Sequence, residues 1–319
     1  MDLFPERLPL LDDAILRAHQ VHEPYDTRFR ASARLLQSLW RARRDLPVGT
    51  YTNPRGRRRK LGSRLAALPA SAGANFIDPA IRDLARRELA YREPGAIIDT
   101  ERVWSNLLSS MPMAFNLFGP LKLNRKLAER FIAALFPEIA GRVTHILFEH
   151  SPARGDMTFT ADGTAFDVFF GIRRDDGTRT FVGIEVKYAE GMTEPEPRHR
   201  PRWDDLSVTS GLFIDPDAPE LRRNPLQQLW REHMLAHTLV ANGLYDDGRF
   251  VLIGPKLNND VQRGASAFAK HLAKAEGAVG FMNVTLEDAV EAVGAAGGKS
   301  YARDFTERYL DFSPVHALV

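Results

Sequence analysis

The sequence predicts an α/β fold in which a meander of strands lies between helices, and three observations indicate it. Apolar residues at helical spacing occupy residues 123–136, and apolar strand-like runs follow between residues 143 and 188. A second amphipathic segment then leads into another short apolar run at residues 249–254. Helical and strand periods that alternate in this way are typical of a sheet covered by helices.

The elements of this region begin with a helix that stops before Pro137. Its apolar positions recur at helical spacing: Leu127, Phe131, Leu135 and Phe136. Val143–Glu149 predicts the first strand. After a hairpin, Pro225–Asn242 predicts a helix with Gly243 as its C-cap, and Arg249–Gly254 predicts a short apolar strand.

Strands two and three form a predicted hairpin around the turn-forming residues 175–177, Asp-Asp-Gly. With a two-residue loop, Asp167 would face Val186 and would lie on the wrong side of the sheet. With a three-residue loop and Gly177 in the left-handed conformation, Asp167 faces Glu185. Directly opposed residues share a face, so only the second register brings the two carboxylates together.

The three-residue loop also sorts the neighbouring side chains. Successive side chains of a strand alternate faces, so Lys187 joins Asp167 and Glu185 while Val186 points into the opposite layer. The apolar residues then share that opposite layer: Phe166, Val168, Phe170, Ile184 and Val186. Because this register gives one polar and one apolar face, it is the register that we predict.

Two carboxylates and an amine on rigid strands can bind a divalent cation and steer a water, as metal-assisted phosphodiester cleavage requires. A Glu-X-Lys on a strand is most often only a solvated face. Here the flanking run Phe181–Ile184 and Tyr188 indicate a strand buried on both faces, where charges are costly unless they are paired or bind metal. Asp167 and Glu185 would also repel each other without a cation between them.

This order of elements, with its Asp167 and Glu185-Val186-Lys187, resembles the PD-(D/E)XK nuclease superfamily, and more narrowly a bacterial group of restriction endonucleases. The superfamily core runs helix, three-stranded meander, helix, strand. The narrower resemblance extends to Ser105–Leu121, to the segment around Glu149, and to Arg308–Val315. The resemblance implies a restriction-endonuclease-like α/β core with a mixed central sheet flanked by helices.

The resemblance also implies roles for the motif. Asp167 and Glu185 would be metal ligands, and the Val186 carbonyl would complete the inner shell. Lys187 would orient the attacking water or stabilise charge on the phosphorane. Mg²⁺ is the expected cofactor, with Mn²⁺ as a substitute. Phe166 stands where a proline is usual, as many members allow.

A further carboxylate is left open between Glu101, Glu129 and Glu149. The narrower group favours Glu101, which could equally be a helix-start residue after Asp99 that serves the helix dipole. The order of elements favours Glu129. Glu149, at the end of the first strand, lies at the same edge of the sheet and is either an added ligand or a structural partner.

Two polar residues of the predicted helix at 225–242 complete the candidate site. Gln228 and Arg231 lie three apart on one flank, and superfamily members often use such a Gln or Arg to contact the scissile phosphate or to hold the catalytic glutamate. We expect Gln228 in the catalytic set and Arg231 against nucleic acid. The alternative is a polar helix edge at the surface.

Local charge indicates further nucleic-acid contacts. Residues 41–64 hold nine Lys or Arg and one acid, Asp45, although the formal charge of the chain is only +2. Such a run fits phosphate neutralisation, or else a solvated basic loop. The predicted contacts to nucleic acid are Arg57, Arg58, Arg59 and Lys60.

The chain of 319 residues is expected to form two regions. Residues 1–95 predict a mostly helical N-terminal extension with a basic loop. Residues 96–319 predict the nuclease-like domain, with two further helices at 261–275 and 286–293. The absence of cysteine excludes disulfides, zinc thiolate sites and thiol nucleophiles. No signal region or run of roughly 20 apolar residues occurs, so a cytoplasmic protein without membrane contact is expected.

The expected activity is metal-dependent hydrolysis of DNA by an endonuclease of restriction or defence type. The competing expectation is a non-catalytic nucleic-acid-binding or assembly subunit that retains the fold. An intact Asp167, Glu185 and Lys187 argue against it, because a subunit without activity is free to lose them. A homodimer is a further expectation, since double-strand cleavage often uses two active sites.

Overall fold

The computed structural model describes residues 7–52, 56–96, 98–274 and 279–319. In these residues the strands form two sheets, a hairpin and a mixed sheet of five strands. The strands are β1 (Val48–Thr52), β2 (Arg58–Leu65), β3 (Arg142–His150), β4 (Phe166–Arg173), β5 (Arg179–Val186), β6 (Asp247–Gly254) and β7 (Gly280–Thr285).

Helices cover both faces of the five-stranded sheet. They are α1 (Asp13–Ala18), α2 (Arg28–Ala42), α3 (Ala67–Ala72), α4 (Pro79–Ala90), α5 (Thr100–Ser105), α6 (Ser110–Leu123), α7 (Arg125–Leu135), α8 (Pro201–Thr209), α9 (Gln227–Ala241), α10 (Asn259–Ala269), α11 (Leu286–Val293), α12 (Lys299–Tyr309) and α13 (Ser313–His316). None of the helices in the described ranges has the length and apolar character needed to cross a membrane.

The central sheet has the order β3-β4-β5-β6-β7. β3, β4 and β5 form an antiparallel meander, whereas β6 and β7 run parallel to β5. Since α8 and α9 connect β5 to β6, the predicted order of helix, meander, helix and strand is confirmed. β7 was not predicted, because its half-exposed residues give only a weak strand pattern.

The hairpin of β4 and β5 has the predicted three-residue loop. Gly177 has a φ of +88°, and the amide of Arg174 donates to the carbonyl of Thr178 at 2.9 Å. Val168 pairs with Ile184, and one further step along this register places Asp167 opposite Glu185. The local turn chemistry therefore determined the pairing.

Two hydrophobic cores lie on the two faces of the sheet. The predicted apolar layer is confirmed for Val168, Phe170, Ile184 and Val186, which share one core with α2, α6, α7 and α12. Phe166 was assigned to that layer wrongly, since it packs in the other core beside α8 and α9. Its ring lies over Gly183, where a Cβ would come within 2.7 Å of it. The missing side chain of Gly183 leaves the space that Phe166 fills.

The N-terminal region is helical as predicted, but it also contains an unpredicted hairpin. The expected basic loop is a strand over much of its length, because Arg58, Arg59 and Lys60 lie on β2 and pair with β1. The buried end of β2 packs against α2, which accounts for the strand. Residues 53–55 lie outside the described residues. The boundary near residue 95 remains a proposal.

The C-terminal prediction is confirmed in part. The helix predicted at 286–293 is α11, and the one predicted at 261–275 is the shorter α10. Ala275 lies outside the described residues. Helix α12 was not predicted, and it contributes the buried Phe305 and Tyr309 to the core that also contains Val186.

Candidate active site

The candidate site lies at one end of β4 and β5, on the face that packs against α9. Asp167 is the second residue of β4, Glu185 is near the end of β5, and Lys187 follows directly after β5. The amide of Lys187 donates to the carbonyl of Ile253 at 2.8 Å, so β6 holds its backbone. Only 4% of the surface of Lys187 is exposed. The spacing in the sequence thus places these three side chains on one face.

Lys187 is held by the polar flank of α9 and by Glu185. Its Nζ lies 3.0 Å from Glu185 Oε1 and donates to Gln228 Oε1 at 2.7 Å. Burial alone would lower the pKa of Lys187, but the charges of Glu185, Glu194 and nearby acids outweigh burial and raise the pKa above its ordinary value. Lys187 is therefore a cation at neutral pH.

Gln228 connects the lysine to two carboxylates. Its Nε2 donates to Glu185 Oε1 and to Glu232 Oε1, each at 2.8 Å. Burial, followed by the charge of Glu185, raises the pKa of Glu232 well above its ordinary value. The amide oxygen of Gln228 accepts from Lys187. One side chain therefore positions both the ammonium group of Lys187 and the carboxylate of Glu185.

A second set of carboxylates meets at the strand ends. Burial, together with the charges of Glu185 and Glu149, raises the pKa of Asp167 well above its ordinary value. Burial and Glu185 likewise raise the pKa of Glu149 to about 7. Asp167 Oδ2 accepts from the amide of Val186 at 2.8 Å. Acids whose negative charges disfavour one another in this way would be stabilised by a cation.

The donor set fits a small divalent cation. In the described ranges, Asp167 accepts its hydrogen bond through Oδ2, and Glu185 forms its hydrogen bond and ion pair through Oε1. The second oxygen of each carboxylate is therefore available to a metal ion. No group of three His, Cys, Asp or Glu side chains is arranged as a closed metal cage in this part of the molecule. Mg²⁺ does not require one, because it prefers oxygen ligands and retains several waters beside one or two carboxylates.

Of the three acids left open by the sequence, the structure brings Glu149 to the cluster. It does not bring Glu101 there: the side chain of Glu101 is 69% exposed and lies 3.5 Å from Arg64 Nη1. Asp99 caps α5 by accepting from the amide of Arg102, so Glu101 is in the first turn as the helix-start interpretation expects. Glu129 lies half-buried on α7, with no bond to Asp167 or Glu185 among the described residues.

Arg231 lies on another flank of α9 from Gln228. Its Nη1 donates to Thr164 Oγ1 at 2.8 Å, and its guanidinium stacks 5.3 Å from the centroid of the Trp203 ring. It lines a cavity of about 650 Å³ together with Arg198 and other residues of the loop before α8. Arg231 therefore lies beside the candidate site and does not contact Lys187.

The predicted basic contacts lie on the exposed part of β2 and just before it. Arg58 Nε donates to Thr50 Oγ1 at 3.1 Å, and Arg59 forms an ion pair with Glu23. Lys60 and Arg57 are exposed to solvent.

A family model described as the PD-(D/E)XK nuclease superfamily matches residues 24–311. The chain belongs to the PD-(D/E)XK nuclease superfamily. Its five-stranded mixed sheet flanked by helices agrees with that fold. The superfamily consists of nucleases, which generally use divalent metal ions and bind nucleic acid. No curated protein and no solved structure matches the chain.

In this PD-(D/E)XK protein, several charged residues beside the motif were not predicted. Glu232 follows Gln228 by four residues on α9, and helical spacing alone would have placed them together. Glu190 accepts from the amides of Tyr188 and Ser110 at 2.8 and 3.0 Å. Its position depends on α6, so no local pattern indicates it. Arg102 lies 3.7 Å from Glu190, and its charge also acts on Glu149.

Proposed function

We propose that this protein is a metal-dependent endonuclease that hydrolyses DNA phosphodiester bonds and acts in restriction or defence. The observation that carries the proposal is the convergence of Asp167, Glu185 and Lys187 on one face of the sheet, with Lys187 and Glu185 only 3.0 Å apart. Membership of a nuclease superfamily supports hydrolysis of nucleic acid in general. The DNA substrate and the biological role are the further steps of the proposal.

The metal would be held by Asp167, Glu185 and the carbonyl of Val186. All of these donors are oxygen atoms, which suits Mg²⁺, with Mn²⁺ as a substitute. Glu149 stands close enough for its charge to act on Asp167 and Glu185, and it is the acid that we add to the pair. A bound divalent ion would offset negative charge on the scissile phosphate and on the departing oxygen.

Lys187 supplies the positive charge that the protein itself contributes to the site. Its ammonium group has three donors. The structure directs one to Gln228 at 2.7 Å and one to Glu185 at 3.0 Å, and the third makes a longer contact of 3.4 Å to Glu194. The donor on the long contact to Glu194 can instead orient the attacking water or stabilise charge on the phosphorane. Gln228 acts through Lys187 and Glu185, so it is a positioning residue.

The DNA would contact basic residues on two sides of this site. The first group lies at the start of β2 and comprises Arg57, Arg58, Arg59 and Lys60. Arg231 lies on the other side, in a cavity whose walls include further arginines. Contacts of this kind neutralise phosphates and make affinity depend on salt concentration.

Plasmid cleavage tests the proposal. Wild-type protein with Mg²⁺ or Mn²⁺ should nick or linearise a supercoiled plasmid, which has no ends and therefore reports endonuclease activity. Lys187→Ala should abolish cleavage, whereas Lys126→Ala, which removes an exposed lysine on α7, should not. If wild type does not cleave with either ion, or if Lys187→Ala cleaves equally well, the chain is instead a non-catalytic nucleic-acid-binding or assembly subunit.

A further inference from the structure

A cavity of about 490 Å³ opens beside the candidate active site. Its walls come from the segment between α1 and α2, the β1–β2 hairpin, α5, and the residues that follow β5. Ala189 and Glu190 line it and lie only two and three residues after Lys187. Arg102 also lines it, and its charge acts on Glu149 of the acid cluster. The cavity thus lies near the proposed site of cleavage, and Glu190 and Arg102 are the residues that relate the two.

The walls of this cavity are held in place by backbone hydrogen bonds. The amide of Gly62 on β2 donates to the carbonyl of Gln20 at 2.8 Å. The amide of Leu107, after α5, donates to the carbonyl of Ser63 at 3.1 Å. A cavity built in this way is formed before a ligand enters, so binding requires little ordering of the walls.

The acids in the cavity already have close partners. Asp26 accepts from Arg34 Nε and Nη2 at 2.6 and 3.1 Å. Glu23 is paired with Arg59 on β2. Glu190 accepts from two backbone amides at 2.8 and 3.0 Å. Their negative charges are therefore largely compensated within the protein.

Two arginines of the cavity are held only loosely. Arg64 has 9% of its surface exposed, yet its nearest polar partners among the described residues are Ser105 Oγ at 3.4 Å and Glu101 Oε1 at 3.5 Å. Arg102 Nη2 lies 3.7 Å from Glu190. Guanidinium groups with unused donors are suited to the oxygens of a phosphate.

Two aromatic rings line the same cavity as these two cations. The guanidinium of Arg64 lies 5.1 Å from the centroid of the Tyr51 ring. Tyr25, which also lines the cavity, is 97% exposed, although a ring of this size usually packs against protein. Exposed rings next to a basic groove are the usual stacking surfaces for bases of single-stranded nucleic acid.

The volume of the cavity limits which part of a nucleic acid can enter it. Its volume of about 490 Å³ falls in the range of cavities that hold small-molecule ligands, roughly 300–1,000 Å³. A single nucleotide belongs to this class. A base pair does not fit, because both strands of a duplex would have to enter together.

We propose that this cavity binds one unpaired nucleotide of the DNA strand that is cleaved. Arg64 and Arg102 hold its phosphate, and Tyr25 and Tyr51 stack on its base. The proposal rests on the proposed nuclease function, and it deepens that function by naming the form of the substrate. The enzyme accordingly binds a single strand in preference to a continuous duplex.

Fluorescence anisotropy with a labelled 12-nucleotide oligothymidine, in EDTA so that no cleavage occurs, measures this interaction. Tyr25→Ala should raise Kd by about 10-fold, as the loss of one stacked base does. Tyr25→Phe keeps the ring and should restore affinity to nearly that of wild type. Arg102→Gln should raise Kd about fivefold through loss of one phosphate contact. Tyr91→Ala is the matched control, since Tyr91 is 87% exposed and lies outside this cavity.

Unchanged affinity for Tyr25→Ala and Arg102→Gln would overturn the proposal, as would an equal loss for Tyr91→Ala. Equal effects of Tyr25→Ala on a blunt duplex would also overturn it, since the cavity excludes paired bases. If wild type cleaves plasmid and these variants bind the oligonucleotide as well as wild type does, only the proposal for the cavity is refuted. Binding that depends on Tyr25 without any cleavage supports the cavity and refutes the nuclease function.

Discussion

Replacing Gln228 by methionine would remove the amide that positions Lys187 while nearly preserving the shape of the side chain. In the structure Gln228 Oε1 accepts from Lys187 Nζ at 2.7 Å, and Nε2 donates to Glu185 and Glu232 at 2.8 Å each. Methionine makes none of these three bonds. Lys187 would then keep its ion pair with Glu185 but lose the contact that directs its ammonium group.

The size of the effect follows from the charge on Lys187. A hydrogen bond to a charged group contributes about 1.5–3 kcal/mol. If the whole of that energy is expressed in the transition state, the cleavage rate falls by about 10- to 150-fold, since 1.36 kcal/mol corresponds to tenfold. Glu232 would also lose its only hydrogen-bond donor among the described residues, so we expect a loss of stability of about 1–3 kcal/mol.

Single-turnover cleavage of a supercoiled plasmid measures the rate, and urea denaturation measures the stability. The affinity for DNA in EDTA should stay as in wild type, because Gln228 bonds to Lys187, Glu185 and Glu232 and is not one of the proposed DNA contacts. Gln227→Met is the matched control: Gln227 is the same residue type, next to Gln228 on α9, but its side chain contacts Arg231 and Asn224. Wild-type cleavage by Gln228→Met, or the same loss of rate in both variants, would refute the positioning role.

Three further predictions concern charge. Asp167→Asn should abolish cleavage yet raise the melting temperature in EDTA, because it removes repulsion from Glu185 and Glu149. Burial lowers the pKa of His233 in the folded protein to about 4 from an ordinary value of 6.5. Because His233 then binds a proton more readily in the unfolded chain, the free energy of unfolding falls as the pH drops between these two pKa values. Between pH 8 and pH 5, wild type should therefore lose about 2 kcal/mol more stability than His233→Gln. The double variant Arg58→Gln, Lys60→Gln should reduce the slope of log affinity against log salt by about 2.

Each of these predictions has a distinct contrary result. A lower melting temperature for Asp167→Asn would show that its bond from the Val186 amide outweighs the repulsion. Parallel pH profiles of unfolding would show that His233 is not the group responsible. An unchanged salt slope would place the phosphates away from β2, and Arg303→Gln, an exposed arginine on α12, provides the comparison.

The core motif could be located from sequence because its geometry is local. The Asp-Asp-Gly loop requires a left-handed residue at Gly177, and this choice determines the register of β4 and β5. A slip of one residue would have sent Asp167 to the opposite face of the sheet. Helical spacing likewise determines that Gln228 and Glu232 lie on one flank of α9.

The environment of the motif could not be located in this way. Glu101 and Arg102 are adjacent in sequence, and only the docking of α5 directs Arg102 toward the acids and Glu101 toward Arg64. The hairpin β1–β2 was missed because its basic strand is exposed at one end and has no alternating pattern. Pairing with β1 and packing against α2 override the weak local preference.

The sequence by itself determined the α/β order of elements and the convergence of Asp167, Glu185 and Lys187, since turn chemistry and the two-residue period of a strand act over a few residues. The tertiary structure decided which other charges surround them. Glu149 joins through the pairing of β3 with β4, and Glu190 joins through the start of α6. These contacts join segments far apart in the chain, so they depend on how the sheet and its helices pack and not on any local pattern.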